Sequence, residues 1–211
     1  MSTSATPHSV THGLWLIRHG ETEWSKSGKH TSTTDLALTA EGERLAFELG
    51  QRLQGKTFAV VLSSPMKRAL ETCRLAGFGD HAEISADLKE WNYGQYEGRT
   101  TPEIQKENPG WTIWTGNPPG GETAAQVAAR ADRVIERAMH SLDGVPQDID
   151  GVPEGDVAIF AHGHFLRVLA ARWLGLDPTA GKLLALSTGS VSVLGFERQT
   201  RVIQRWNDAG E

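Results

Sequence analysis

LWLIRHGETEW, residues 14–24, starts as four apolar residues, passes through Arg18-His19-Gly20 and ends in an acidic, threonine-bearing turn. A short apolar run closed by turn residues reads as a buried strand. This one delivers a cation and an imidazole, side by side, to its carboxyl end. Two further stretches repeat the arrangement. FAVVL (58–62) runs into Ser63-Ser64-Pro65, and DVAIFA (156–161) runs into His162-Gly163-His164.

Helical patterns separate these runs. Thr39-Ala40-Glu41-Gly42 opens a helix with Leu45, Leu49 and Leu53 at four-residue spacing, and residues 66–76 resume helical character. Trp91 to Gly121 is rich in Gly, Pro and Trp, which predicts loops around one short helix near 102–107. Residues 122–142 are the longest helix candidate, with Val127, Ala131, Val134, Ile135 and Ala138 on one face. Residues 143–155 form a polar Pro/Gly connection, 165–174 a helix, and 191–196 with 202–206 two closing strands near enough to pair as a hairpin. Strands alternating with helices predict an α/β layered fold with a mostly parallel, mixed sheet. In such sheets ligands bind beyond the carboxyl ends of the strands, where the three polar turns would converge.

A chain of 211 residues is read as one domain over 13–211, with the small, polar residues 1–12 as a loose tail. The formal charge of −5 argues against general affinity for nucleic acid or an anionic membrane. The start lacks the apolar core of a secretory signal, and no apolar run approaches the length of a membrane span. The single cysteine, Cys73, falls in a helical pattern and reads as a buried thiol, which fits a reducing, cytoplasmic setting.

The turn residues form an anion site first. Arg18 and Arg68 are planar forks suited to phosphate oxygens, and Arg68 stands near a helix start, where free N–H groups also favour an anion. Adjacent guanidinium charge holds an imidazole neutral, and a neutral imidazole is a nucleophile able to take a phosphoryl group in line. The leaving alkoxide needs a proton, and Glu90, among the aromatic and apolar residues of DLKEWNYGQYEG, is the candidate acid, with Glu97 as competitor. His162, in cationic form, would donate to the equatorial oxygens.

The remaining residues have plainer readings. His19 alone would be a turn histidine. His162 and His164 lack the carboxylate partner of a metal motif, so no metal is expected. His164 reads as a supporting residue, and His12, His30 and His81 as solvated loop residues, with His30 near enough to the pocket loop to touch a substrate. Trp91, Trp111 and Trp114 read as anchors, any one of which could flank a substrate.

LIRHGETEW, SSPMKRALET, LKEWNYGQYEG, GGET before a long helix, and FAHGH, in that order, resemble the histidine phosphatase superfamily, or phosphoglycerate mutase-like proteins, across residues 14–196. The resemblance implies a three-layer α/β/α sandwich and catalysis without metal or cofactor. It makes His19 the phosphorylated nucleophile, Arg18, Arg68 and His162 the phosphate pocket, and Glu90 the proton donor. Glu21, Thr22, Ser25, Thr31, Ser32, Tyr93 and Gly163 fall among the implied substrate contacts. Ser25 stands where the mutases usually have Asn, and Thr31-Ser32 where they have Thr-Gly. The long basic insertion with which mutases grip a second acidic group is missing, since Arg99 and Lys106 are the only basic residues between Glu90 and Gly121.

The pattern is closest to mycobacterial-type acid phosphatases and sedoheptulose-bisphosphatase-like members. The expectation is therefore a phosphatase acting on small phosphorylated metabolites, such as sugar phosphates, through phosphohistidine. A cofactor-dependent phosphoglycerate mutase and a non-catalytic phospho-ligand module are the alternatives. The expected partner is a small phosphate ester; the sequence leaves the oligomeric state, a homodimer included, open.

Overall fold

Residues 13–142 and 155–210 are described by a computed structural model. The expected tail, His12 and most of the polar connection after residue 142 lie outside them. The strands are β1 (Leu14–Arg18), β2 (Phe58–Ser63), β3 (Ala82–Ile84), β4 (Asp156–Ala161), β5 (Val191–Glu197) and β6 (Thr200–Asp208). They form one sheet in the order β3-β2-β4-β1-β5-β6. The first four positions run parallel, whereas β5 is antiparallel to β1 and to β6.

The helices are α1 (Glu23–Ser27), α2 (Ala40–Arg52), α3 (Lys67–Leu75), α4 (Thr101–Glu107), α5 (Ala124–His140) and α6 (Gly163–Trp173). Strand alternation decides which of them covers which face. Leu14 and Leu16, with Leu62, Val157 and Ile159, pack with residues of α5 and α6. Ile17, Val61, Ala158 and Phe160 pack instead with Leu49 of α2 and Cys73 of α3. Both faces are thereby buried, as a parallel sheet requires, and the layers are α/β/α.

Register sets the site. Arg18 pairs with Ala161, and Ser63 pairs with Phe160, so β1, β2 and β4 end level with one another. The three polar turns emerge together, as the sequence predicts. Gly20 is forced by a close approach: a Cβ there would lie 2.3 Å from the carbonyl oxygen of Gly42, near the start of α2. Gly42 in turn would place a Cβ 2.2 Å from the oxygen of Glu21. The turn after β1 and the first turn of α2 thus touch backbone to backbone.

Two elements differ from expectation. The three residues of β3 are too few to show periodicity. The five residues of α1 bury none of their side chains and rest on a capping box between Thr22 and Ser25. In addition, α6 begins at Gly163 rather than 165, with His162 as its N-cap residue.

Candidate active site

His19 is buried, and its Nδ1 lies 2.7 Å from the carbonyl oxygen of Gly20. A carbonyl only accepts, so Nδ1 carries the hydrogen and Nε2 the lone pair. Burial, then the charges of Arg68 and Arg18, hold this imidazole's pKa well below the usual value. The backbone around it is pinned on both sides. The His19 N–H donates to Ala161 O at 3.1 Å, and Gly189 N–H reaches the carbonyls of Arg18 and His19 at 3.2 and 3.1 Å.

Arg18 ends β1 on the α6 side. It donates through Nη1 to Leu186 O, and its Nε is buried with no hydrogen-bond partner. A buried donor left unpaired costs about 1–3 kcal/mol. Gly163 packs beside this guanidinium, where a Cβ would lie 3.2 Å from Arg18 Cζ and Nε.

Glu90 sits across from them, capping α6 from outside the helix. Its Oε1 accepts from Phe165 N and Trp91 N, each at 2.8 Å, and Oε2 from His164 N at 3.0 Å. The carboxyl oxygens therefore meet backbone donors, not the apolar rings the sequence suggested. With the His164 and Phe165 amides taken, the Gly163 N–H at the helix start is left open.

Arg68 and His162 stand behind the nucleophile. His162 meets His19 edge to face, with ring centroids 5.2 Å apart. Arg68 Nε donates to His162 Nδ1 at 3.2 Å, Nη1 donates to the carbonyl of Thr34, and Nη2 to those of Thr31 and Ser32. With Nδ1 accepting, His162 donates through Nε2 to Ser64 Oγ at 2.7 Å and is neutral. Burial and then the Arg68 charge push its pKa well down, which corrects the expected imidazolium.

A cavity of about 390 Å³ opens in front of His19. Of the sequence-predicted residues, Arg18, His19, Thr22, Ser25, Thr31, Glu90, Tyr93 and Gly163 line it. Arg68 and His162 do not. Nor do Glu21, whose carboxylate accepts from Thr39 Oγ1 at 2.9 Å, and Ser32, held by Glu97. Glu97 clamps the backbone of Ser32 and Thr34, each N–H at 2.9 Å, so it organises the loop and leaves Glu90 as the carboxylate at the cavity.

The sequence missed part of the wall. His30 lines the cavity, within reach of substrate as its place near the pocket loop suggests, but it is buried against Tyr93 rather than solvated, with centroids 4.6 Å apart, and burial lowers its pKa to about 4. His164 lies 2.6 Å from the Tyr93 hydroxyl through Nδ1. Burial raises the Tyr93 pKa well up and lowers that of His164 well down, so the phenol donates to a neutral ring. Trp114 and Arg167 complete the far end. Trp91 and Trp111 are core anchors. Among the described residues, no group of three or more His, Cys, Asp or Glu side chains is placed to hold a metal ion.

A neutral imidazole with a free Nε2, a neighbouring guanidinium and a carboxylate opposite can move a phosphoryl group. A family model described as the histidine phosphatase superfamily (branch 1) matches residues 14–209. The chain belongs to the histidine phosphatase superfamily. Among histidine phosphatases and related proteins, an acid phosphatase of Mycobacterium tuberculosis is 39% identical over 90% of this chain and 89% of its own length. A sedoheptulose 1,7-bisphosphatase of Saccharomyces cerevisiae is 36% identical over 80% of this chain and 69% of its own. The solved structure of an open reading frame product from Mycobacterium tuberculosis superposes with a TM-score of 0.85 at 37% identity, covering 95% of this chain and 99% of that one. The histidine phosphatase fold thus extends over the whole sheet.

Proposed function

We propose that residues 13–211 act as one phosphomonoester hydrolase domain that works on small phosphorylated metabolites, sugar phosphates among them, through a phosphohistidine on His19 Nε2. The observation that carries this is the Nδ1–Gly20 O hydrogen bond of 2.7 Å, which leaves Nε2 as the basic atom beside the unpartnered Arg18 Nε. The relatives named acid phosphatase and sedoheptulose 1,7-bisphosphatase support the same reading.

The substrate's phosphoryl oxygens take N–H donors of the Arg18 guanidinium and of the Gly163 backbone. His19 Nε2 forms a bond to phosphorus as the bond to the ester oxygen breaks. Glu90 enters this step as the neutral acid with its proton on Oε2, the oxygen with a single N–H partner, and gives that proton to the departing alkoxide, becoming a carboxylate. Positive charge appearing on the phosphorylated ring is stabilised through Nδ1–H by the Gly20 carbonyl. Water then attacks phosphorus, Glu90 accepts its proton, and the Nε2–P bond breaks to restore neutral His19. Arg68, behind the ring, keeps His19 unprotonated and holds the 31–34 loop in place.

No helix among the described residues is long and apolar enough to cross a membrane. Cys73 is a free, buried thiol whose pKa burial raises to about 12, which suits the reducing cytoplasm, where we place the enzyme.

The test is His19→Ala on p-nitrophenyl phosphate and on a sugar phosphate. Turnover should fall by about 10⁴-fold or more, and radiolabel from a phosphate donor should no longer attach to the protein. Turnover retained within tenfold would reject the phosphohistidine route.

A further inference from the structure

We infer that Arg167 binds a second anionic group on the leaving-group side of the substrate, so that the preferred esters carry another phosphate or a carboxylate. The inference rests on the phosphatase reading above and narrows its substrate class.

Position comes first. Gly163 packs against the Arg18 guanidinium, and Arg167 is four residues further along the same helix. Residues four apart share a helix face, and the separation along the axis is about 6 Å. Arg18 and Arg167 both line the one cavity. A ligand whose phosphoryl group sits at Arg18 and His19 therefore extends toward Arg167.

The Arg167 head is fixed and left unpaired. Nε donates to Gly181 O at 3.0 Å and Nη2 to Lys182 O at 3.4 Å, while the group lies 4.6 Å from the centre of the Trp114 ring. The Gly181 turn closes on that indole so tightly that a Cβ on Gly181 would lie 2.8 Å from it. Among the described residues no carboxylate forms an ion pair with Arg167. Burial disfavours the Arg167 charge, and the only carboxylate acting on it, Glu90, makes no ion-pair contact with it; a guanidinium fixed in this way is preorganised for an anion. Both Nη1 hydrogens and the second Nη2 hydrogen, with no partner among the described residues, are the donors that remain.

Charge in the cavity agrees. Arg18, Lys29 and Arg167 line it against Glu90 as the sole carboxylate, within a protein of net charge −5. Thr112 and His164 line the same cavity and offer polar contacts suited to a hydroxylated chain. The basic residues of the middle segment do not take this part. Arg99 pairs with Glu107 at 2.7 Å, and neither Arg99 nor Lys106 lines the cavity. The second cation comes instead from the helix that His162 begins.

The test compares Arg167→Met and Arg167→Lys with the unaltered chain, each confirmed folded by circular dichroism. Calorimetry in a His19→Ala background measures fructose 1,6-bisphosphate, 3-phosphoglycerate and fructose 6-phosphate. The doubly anionic ligands should bind about tenfold more tightly than fructose 6-phosphate. Arg167→Met should erase that advantage, and Arg167→Lys should keep part of it. An advantage for the bisphosphate alone assigns the second group as phosphate; one for the phosphoglycerate alone assigns carboxylate. Equal affinity for all three, or an advantage that survives Arg167→Met, overturns the inference. Phosphate release by the chain with His19 intact is measured alongside. Its absence would defeat the phosphatase reading while the calorimetry still decides Arg167.

Discussion

Glu90 Oε1 accepts the backbone N–H of Phe165 at 2.8 Å, so the carboxylate assigned to proton transfer is also the cap of α6. No side chain of the helix's own N-cap residue does that work. The arrangement joins chemistry to architecture, since the helix that presents Gly163 and Arg167 is held at its start by the group facing the leaving oxygen.

Glu90→Gln should therefore separate substrates by leaving group. An alkyl phosphate needs a proton on its departing oxygen, and its kcat should fall by about 10²–10⁴. p-Nitrophenyl phosphate, with an acidic leaving group, should lose far less. Steady-state kinetics on both esters checks this, and equal losses would show that Glu90 acts only as the helix cap.

Ser64 and His162 share a buried hydrogen bond of 2.7 Å. Ser64→Ala leaves the imidazole N–H without its acceptor, at a cost of about 1–3 kcal/mol in stability. Urea denaturation should show the lower midpoint. kcat should also fall, because His162 orients Arg68 behind the nucleophile.

The pH dependence has a definite sign. His19, His162 and His164 have folded pKa values well below the usual imidazole value, chiefly through burial, and His30 is lowered to about 4. Above about pH 6.5 neither the folded nor the unfolded chain protonates these rings, and stability is full. Below it the unfolded chain binds protons that the folded chain refuses. Each such ring then costs about 1.4 kcal/mol per pH unit until its folded pKa is reached. Denaturant midpoints at pH 7.5, 6 and 5 should fall in that order. The acid limb of kcat/KM, in contrast, should lie below the pKa of free imidazole, because His19 stays a base there.

Gly20→Ala places a methyl group 2.3 Å from Gly42 O, and both partners are backbone. Overpacking costs about 1–3 kcal/mol where side chains can yield, and here none can. The variant should melt lower and lose turnover, and Gly42→Ala, against Glu21 O, should do the same.

The sequence carried the three strands that end at the site because each is a continuous apolar run closed by a turn, and the resemblance added the roles of Arg18, His19 and Glu90. It did not carry the wall facing them. His30 lies in a polar stretch and is buried only because Tyr93 and Trp111 fold over it from 63 or more residues away. Arg167 follows two apolar residues on α6 and reads as a stray surface charge until the helix is placed against Trp114. The protonation of His162 was misread for a similar reason, since its neutrality depends on which of its two nitrogens meets Arg68.

The seat of His19 is assembled from distant parts of the chain. β1 pairs with β4 and β5 alone, and the Gly189 amide that holds the His19 carbonyl comes just before β5. During synthesis the first strand must therefore wait, unpaired, while some 140 further residues leave the ribosome. A polypeptide halted before β4 would leave the strand that carries His19 unpaired, and one halted before residue 189 would still lack the Gly189 N–H that holds the Arg18 and His19 carbonyls.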